Sequence, residues 1–259
     1  MAPVPAIRSP RNPTVAFVRT LQRGSVRRRS GRTYVEGPKL VSEVLTAGAV
    51  ETLLWVEDAT SAARDLAARA EQAGITVRRC TAGVFATLAN TETPQGVLAV
   101  IEMPKPPPRK GPALLLVLDG VQDPGNVGTM LRSAAAASAT GAVCGPGSAD
   151  PYGPKAMRAG AGAQLSLPLL DELPSNGLRV YAAEPGGDRS YADVDWTGPA
   201  ALVIGGEGHG ISRAMRRQVD ETVSVPMAPD AESLNAAAAA AVILFEAARQ
   251  RRTTESRGP

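Results

Sequence analysis

Three stretches of this sequence set polar side chains and glycines where an apolar run gives way to a helical pattern, the place at which an open α/β sheet gathers ligands. In Leu118–Ala134, LDGVQDPGNVGTMLRSA, the Pro-Gly pair and Gly128 let the chain turn sharply, and Asn126 stands at the start of a helix. Its amide there serves either as a cap or as a hydrogen-bonding partner for a substrate. Arg132, further along, is either a functional side chain or a solvated surface guanidinium. In Leu202–Ser212, LVIGGEGHGIS, an apolar run enters a glycine-rich loop in which a ligand can come close to the backbone. The GEGHG string superficially matches a nucleotide-binding loop, but such loops follow the first strand of their sheet, and only about 50 residues remain after Gly210. His209, the sole histidine, has no orienting partner visible in the sequence and is assigned no catalytic role. In Val223–Ala247, VSVPMAPDAESLNAAAAAAVILFEA, Ser233 and Asn235 lie at the start of the last helix, where capping again competes with ligand contact. Cys80 and Cys144 are far apart and have no histidine beside them, so they read as packed thiols, and neither a metal site nor a disulfide framework is expected.

The elements that must hold these groups follow an α/β pattern. ALLLVLDG reads as a strand, followed by an acidic loop and a helix from about Asn126 to Ala137; Val127, Met130, Leu131 and Ala134 form its buried stripe, with Arg132 beside it. Short strands recur at GAVCG, LSLPL, LRVYAAE, ALVIGG and TVSVP, which predicts a mostly parallel, helix-covered sheet. The last helix, Glu232 to about Arg249, lines up Leu234, Ala238, Ala241, Phe245 and Ala248 on one face, with small residues that permit close packing. Upstream, a helix in KLVSEVLTAG, a strand at ETLLWVED, a helix around Ala62 to Ala73, a strand at ITVRR, a short helix at FATLA and a strand at QGVLAVIEM make a smaller domain. Proline-rich PKPPPRKGP separates the two. The expected layout is a disordered basic tail over 1–11, a first domain over 12–103, a linker over 104–112, a second domain over 113–250, and a disordered tail over 251–259.

The chain has 259 residues, 44% of them hydrophobic, enough for the cores of two modest domains. Its net charge is only +3, yet between Met1 and Lys39 eight arginines and Lys39 are opposed by Glu36 alone. Such a region either attracts a nucleic-acid backbone, with Arg27, Arg28, Arg29 and Arg32 as the candidate contacts, or is a solvated tail. No apolar run approaches the ~20 residues of a membrane helix. The N-terminus, broken by Pro, Arg and Asn, lacks the layout of a secretory signal, so a cytoplasmic location is expected.

Each of the three loop segments has a structural explanation when taken singly. Together, in this order and spacing, they resemble the three motifs of the SpoU or TrmH-like branch of the knotted RNA methyltransferases. NPTVAFVRTLQRGSVRRRSGRTYVEGPKLVSEVL and TETPQGVLAVIEMP likewise resemble that family's ribosomal-protein-like RNA-binding domain. The resemblance implies an α/β fold with a trefoil-knotted methyltransferase domain, and S-adenosylmethionine as donor, held by Gly205, Val225 and Leu234 with Ser233 and Asn235 adjacent. It implies catalytic roles for Arg132, Asn126 and Glu207 in methylating a ribose 2′-hydroxyl. It also implies a homodimer with the active site at the subunit interface. Ribosomal RNA is the first expected substrate and transfer RNA the second. A catalytically inactive RNA-binding or ribosome-assembly protein, and a methyltransferase for a base or small molecule, remain the competing readings. Asp123 stands where the family often has asparagine, and Ala236 and Ala237 where valine and serine are common.

Overall fold

The structure, a computed structural model, describes residues 5–91, 93–107, 109–175, 177–229 and 233–255. It divides into two compact units, one formed by residues up to Pro104 together with Tyr152–Arg158, the other by Lys105–Pro151 and the chain from Ala159 onward.

The first unit runs α1 (Pro13–Thr20), α2 (Gly24–Ser30), β1 (Arg32–Glu36), α3 (Pro38–Thr46), β2 (Val50–Val56), α4 (Ser61–Gln72), β3 (Thr76–Cys80), α5 (Ala82–Ala86) and β4 (Val97–Glu102). Its sheet has the order β1-β4-β2-β3, with β4 antiparallel to both neighbours and β2 parallel to β3. Val97–Ile101 is buried throughout, as expected of an interior strand covered on both faces. Val15 and Val18 of α1 join Leu21, Tyr34, Leu54, Phe85 and Leu98 in one apolar cluster, each large side chain contributing about 1.5–3 kcal/mol by leaving water. The expected disorder over 1–11 does not hold where the chain is described. Ile7 bridges Cys80 in parallel, donating to the Arg79 carbonyl at 2.8 Å and accepting from Thr81 N at 3.1 Å. The cause is the open edge of β3, whose backbone groups need partners, and the apolar cluster against which Ile7 packs.

The second unit runs β5 (Leu114–Asp119), α6 (Pro124–Ala136), β6 (Gly141–Cys144), α7 (Pro154–Ala159, most of it in the first unit), β7 (Leu169–Leu170), β8 (Arg179–Ala183), β9 (Arg189–Ser190), β10 (Ala200–Gly205), α8 (Arg213–Arg216), β11 (Glu221–Ser224) and α9 (Ala236–Glu255). The sheet order is β7-β6-β5-β10-β8-β11-β9 and every pairing is parallel. Central β5 and β10 are continuous apolar runs, and α6 and α9 pack against each other and against these strands. Of LSLPL only Leu169 enters a strand, the two-residue β7, while the short β9 carries no periodicity by which it could be anticipated.

Two helices differ from expectation in ways that matter for the site. Helix α6 starts at Pro124 because Asp123, not Asn126, is its cap: Asp123 Oδ1 accepts from Asn126 N at 2.9 Å. On α9 the buried face is Ala237, Ala240, Ile243, Leu244, Ala247 and Ala248, whereas Ala238 is exposed and Val242 and Phe245 are 38% and 45% exposed. Leu234, just before the helix, is also exposed. The predicted packing face was therefore rotated away from the core, because a helix apolar nearly all round gives composition no phase. Glu232, the predicted first residue, lies outside the described residues. The predicted disorder over 251–259 does not hold over 251–255: α9 continues to Glu255, and Arg251 donates to the carbonyls of Trp196, Pro112, Ala113 and Gly198.

Candidate active site

At the carboxyl ends of β8, β10 and β11 a cavity of about 440 Å³ opens in the second unit. Its wall begins where β10 runs out of side chains. A Cβ at Gly205 would lie 2.4 Å from the Gly210 carbonyl carbon, and one at Gly206 would lie 2.2 Å from the Gly120 oxygen, so only glycine permits this approach of three backbone segments. Gly210 N donates to Gly206 O at 2.9 Å, closing a tight turn that carries Glu207, Gly208 and His209 at its exposed tip. Ile204, Val225 and Leu234 supply apolar lining, and Ser233 and Asn235 stand on the same wall.

At the mouth, two amides and one carboxylate form a chain. Because Asp123 caps α6, the Asn126 side chain is released: its Nδ2 donates to Glu207 Oε1 at 2.5 Å and its Oδ1 faces Asn235 Nδ2 at 3.4 Å. Asn235 in turn caps α9, its Oδ1 accepting from Ala237 N at 2.8 Å. Asn235 is thus both a cap and a member of the chain, using opposite ends of one amide. The start of α6, the turn after β10 and the start of α9 are thereby brought to one point.

Arg132 is not brought there. It lies on α6 about one and two-thirds turns beyond Asn126, roughly 9 Å along the axis, exposed and outside the cavity lining. In the first unit, Arg28 and Arg29 are exposed on α2, and Arg32 donates to Glu51 at 2.6 Å while remaining partly open to solvent. Arg27 departs from the predicted role: it is 3% exposed and donates to the Leu21 carbonyl at 2.6 Å, so its charge is spent on the turn after α1 and is closed to a phosphate.

Two residues at the site escaped sequence reading. Glu184, after β8, lines the cavity and takes both Nη groups of Arg216, a pairing that raises the guanidinium pKa through its hydrogen bonds. Asp119, the last residue of β5, is 5% exposed and accepts from Ser212 N at 2.6 Å. An acidic residue followed by Pro-Gly-Gly after a strand was the available signal for Glu184. Burial pushes the Cys144 thiol up to about 12, with Asp150 adding to it, and the Cys80 thiol up to about 11, so both are protonated packed groups. Among the described residues no cluster suited to a metal ion is present, and no helix is long and apolar enough to cross a membrane.

The comparisons with known proteins bear on both units. The SpoU rRNA Methylase family matches residues 113–245, and the MRM3-like substrate binding domain matches residues 12–99. An uncharacterised tRNA/rRNA methyltransferase of Synechocystis is 33% identical, covering 95% of this chain and 94% of the relative. The 23S rRNA (guanosine(2553)-2′-O)-methyltransferase RlmP of Bacillus subtilis is 32% identical, covering 92% of this chain and 97% of its own. Among solved structures, the SpoU methyltransferase AviRb of Streptomyces viridochromogenes, crystallised in complex with AdoMet, has a TM-score of 0.80 and 33% identity over 94% of this chain and 99% of its own. A family match over the knuckle of loops that builds the cavity, and relatives aligned along nearly the whole length of both units, lead to one assignment: the chain belongs to the SpoU rRNA methylase family.

Proposed function

We propose that this protein transfers a methyl group from S-adenosylmethionine to a ribose 2′-hydroxyl in structured RNA, ribosomal RNA first, and that it does so in the cytoplasm. The observation that carries the reading is the meeting of Asn126, Glu207 and Asn235 at the mouth of the cavity walled by Gly205, Val225 and Leu234. The cavity suits the donor: its volume of about 440 Å³ lies in the range of cofactor sites, its apolar walls fit a flat adenine, and its glycines bare the backbone. Bound there, the donor supplies a sulfonium methyl with a neutral thioether as leaving group.

The protein's residues then have a task of positioning and electrostatics, because a ribose hydroxyl is a poor nucleophile until its proton is taken up or its developing charge is met. Asn126 orients the nucleotide, held by Glu207 and Asn235 on either side of its amide. Arg132 engages the target phosphate or ribose and assists loss of the hydroxyl proton, its cation stabilising charge as it develops on oxygen. Its exposure away from the cavity of its own chain supports a homodimer in which it serves the partner's cavity. The outward apolar residues Val242 and Phe245 on α9, with Leu234 before it, support the same arrangement. Arg28, Arg29 and Arg32 add affinity through the RNA backbone. Threading of the chain through the loops around Gly205 and Gly210 as a trefoil knot belongs to this reading, and the tight backbone approaches at both glycines favour it.

The test is transfer of labelled methyl from S-adenosylmethionine to total unmodified RNA, followed by nuclease digestion. A labelled 2′-O-methylnucleoside from ribosomal RNA is expected. Label in transfer RNA moves the substrate, label on a base overturns the acceptor, and absence of both transfer and calorimetric donor binding leaves an RNA-binding protein.

A further inference from the structure

Asp119 closes β5 beside β10, is 5% exposed, and does not line the cavity. A carboxylate in such a place is costly unless hydrogen bonds compensate it. Here Oδ2 accepts from Ser212 N at 2.6 Å, while the residue's own carbonyl accepts from Gly206 N at 3.0 Å. One residue therefore grips both ends of the turn 206–212, which carries Glu207 and whose Gly206, Gly210 and Ile211 line the cavity. At the Gly206 end the backbone is also confined by Gly120, so the main chain has little room to leave. At the Ser212 end the carboxylate is the fastening, and Ser212 hands the order on by capping α8, its Oγ accepting from Met215 N at 3.2 Å.

We propose that Asp119 is a positioning residue for the donor: its buried carboxylate fixes the far end of the turn 206–212 and thereby sets the affinity for S-adenosylmethionine without touching either reactant. The inference rests on the methyl-transfer reading above for the identity of the ligand. The fastening itself rests only on the contacts of Asp119.

Two measurements on the full-length protein test it together: hydrogen–deuterium exchange of peptides spanning 205–216 in the free protein, and calorimetric binding of S-adenosylmethionine alongside methyl-transfer kinetics. Asp119→Ala should speed exchange over 206–212 and weaken donor binding roughly tenfold to a hundredfold, the expected loss of a charged hydrogen bond. Its turnover at saturating donor, which also depends on Glu207 of the same turn, should fall by less than its donor affinity, and its KM for RNA should stay within about threefold, a split that general destabilisation does not produce. Asp119→Asn, whose Oδ1 also accepts, should lie near wild type on both measurements. Should Asp119→Ala not fold, Ser212→Pro decides when set beside Ser212→Ala, which loses the same α8 cap but keeps the N–H: the proline, at a residue whose φ of −64° already suits it, should loosen the turn and weaken donor binding well beyond the alanine. Unchanged exchange and donor affinity in the variant that folds overturn the proposal. So does an Asp119→Asn enzyme that binds donor normally yet loses turnover with a displaced pH profile, which marks a proton-transfer role. A wild type that binds no S-adenosylmethionine, with the turn still loosened in the variants, overturns the methyl-transfer reading and the donor's part in this proposal, and leaves the fastening standing.

Discussion

The arginines divide by what their guanidinium groups already hold. Arg132 is exposed on α6, and under the proposed reading Arg132→Ala should lower methyl transfer by about 10²–10³, the usual cost of a lost charge-stabilising donor, while calorimetric donor binding stays unchanged. Equal loss of donor binding would remove it from the chemistry. Arg27 and Arg28 are neighbours in sequence with opposite expected phenotypes. Arg27→Ala leaves the buried Leu21 carbonyl without its charged donor and should cost about 1.5–3 kcal/mol of stability in denaturant titration, with no change in the salt dependence of RNA binding. Arg28→Ala should leave stability alone and lower the slope of log K against log salt by about 1. A composition count cannot separate these two, since both are simply arginine in a basic run; only the turn after α1 determines which one faces inward.

Elements decide how the loops meet. Gly206→Ala should displace the turn after β10, since the added Cβ would stand 2.2 Å from the Gly120 oxygen, and donor binding should fall more than thermal stability when both are measured. Retained donor affinity would mean that the turn can shift without harm to the cavity. Most of the strands that build this framework were legible as short apolar runs near a glycine or proline, and β5, β8, β10 and β11 stand where the sequence predicts them. The three loop segments were legible as well, by composition and order. Less legible was the division of labour within them. Asp123 and Asn126 both look like caps, and the geometry gives the cap to Asp123 and leaves Asn126 to Glu207 and Asn235. The face of α9 was misread for a different reason: with alanines at six successive positions from Ala236, the hydrophobic pattern has no polar side to mark its phase. Asp119 gives no signal of its own and Glu184 only that of a turn, because their importance comes from partners far off in sequence, Ser212 and Arg216.

At the scale of the whole molecule, the exposed Val242 and Phe245 stand on one helix and lack a partner side in an isolated chain. Phe245→Glu should convert the proposed dimer to a monomer in sedimentation analysis and abolish methyl transfer with the monomer still folded; an active monomer would place every catalytic group in one chain. In the same terms, mixing Arg132→Ala with Asn126→Ala chains should restore part of the activity that each lacks alone, because one mixed site receives both intact groups. Arg251 gives the second unit a further property. By reaching from near the end of α9 to the carbonyls of Pro112 and Ala113, it holds the end of that helix within one side chain's length of the start of β5. The path of the backbone is therefore nearly a ring with a small gap. A few inserted residues joining the two ends should be tolerated, and the chain could then be opened at an exposed turn elsewhere, giving a rearranged gene whose product keeps the same sheet and the same cavity.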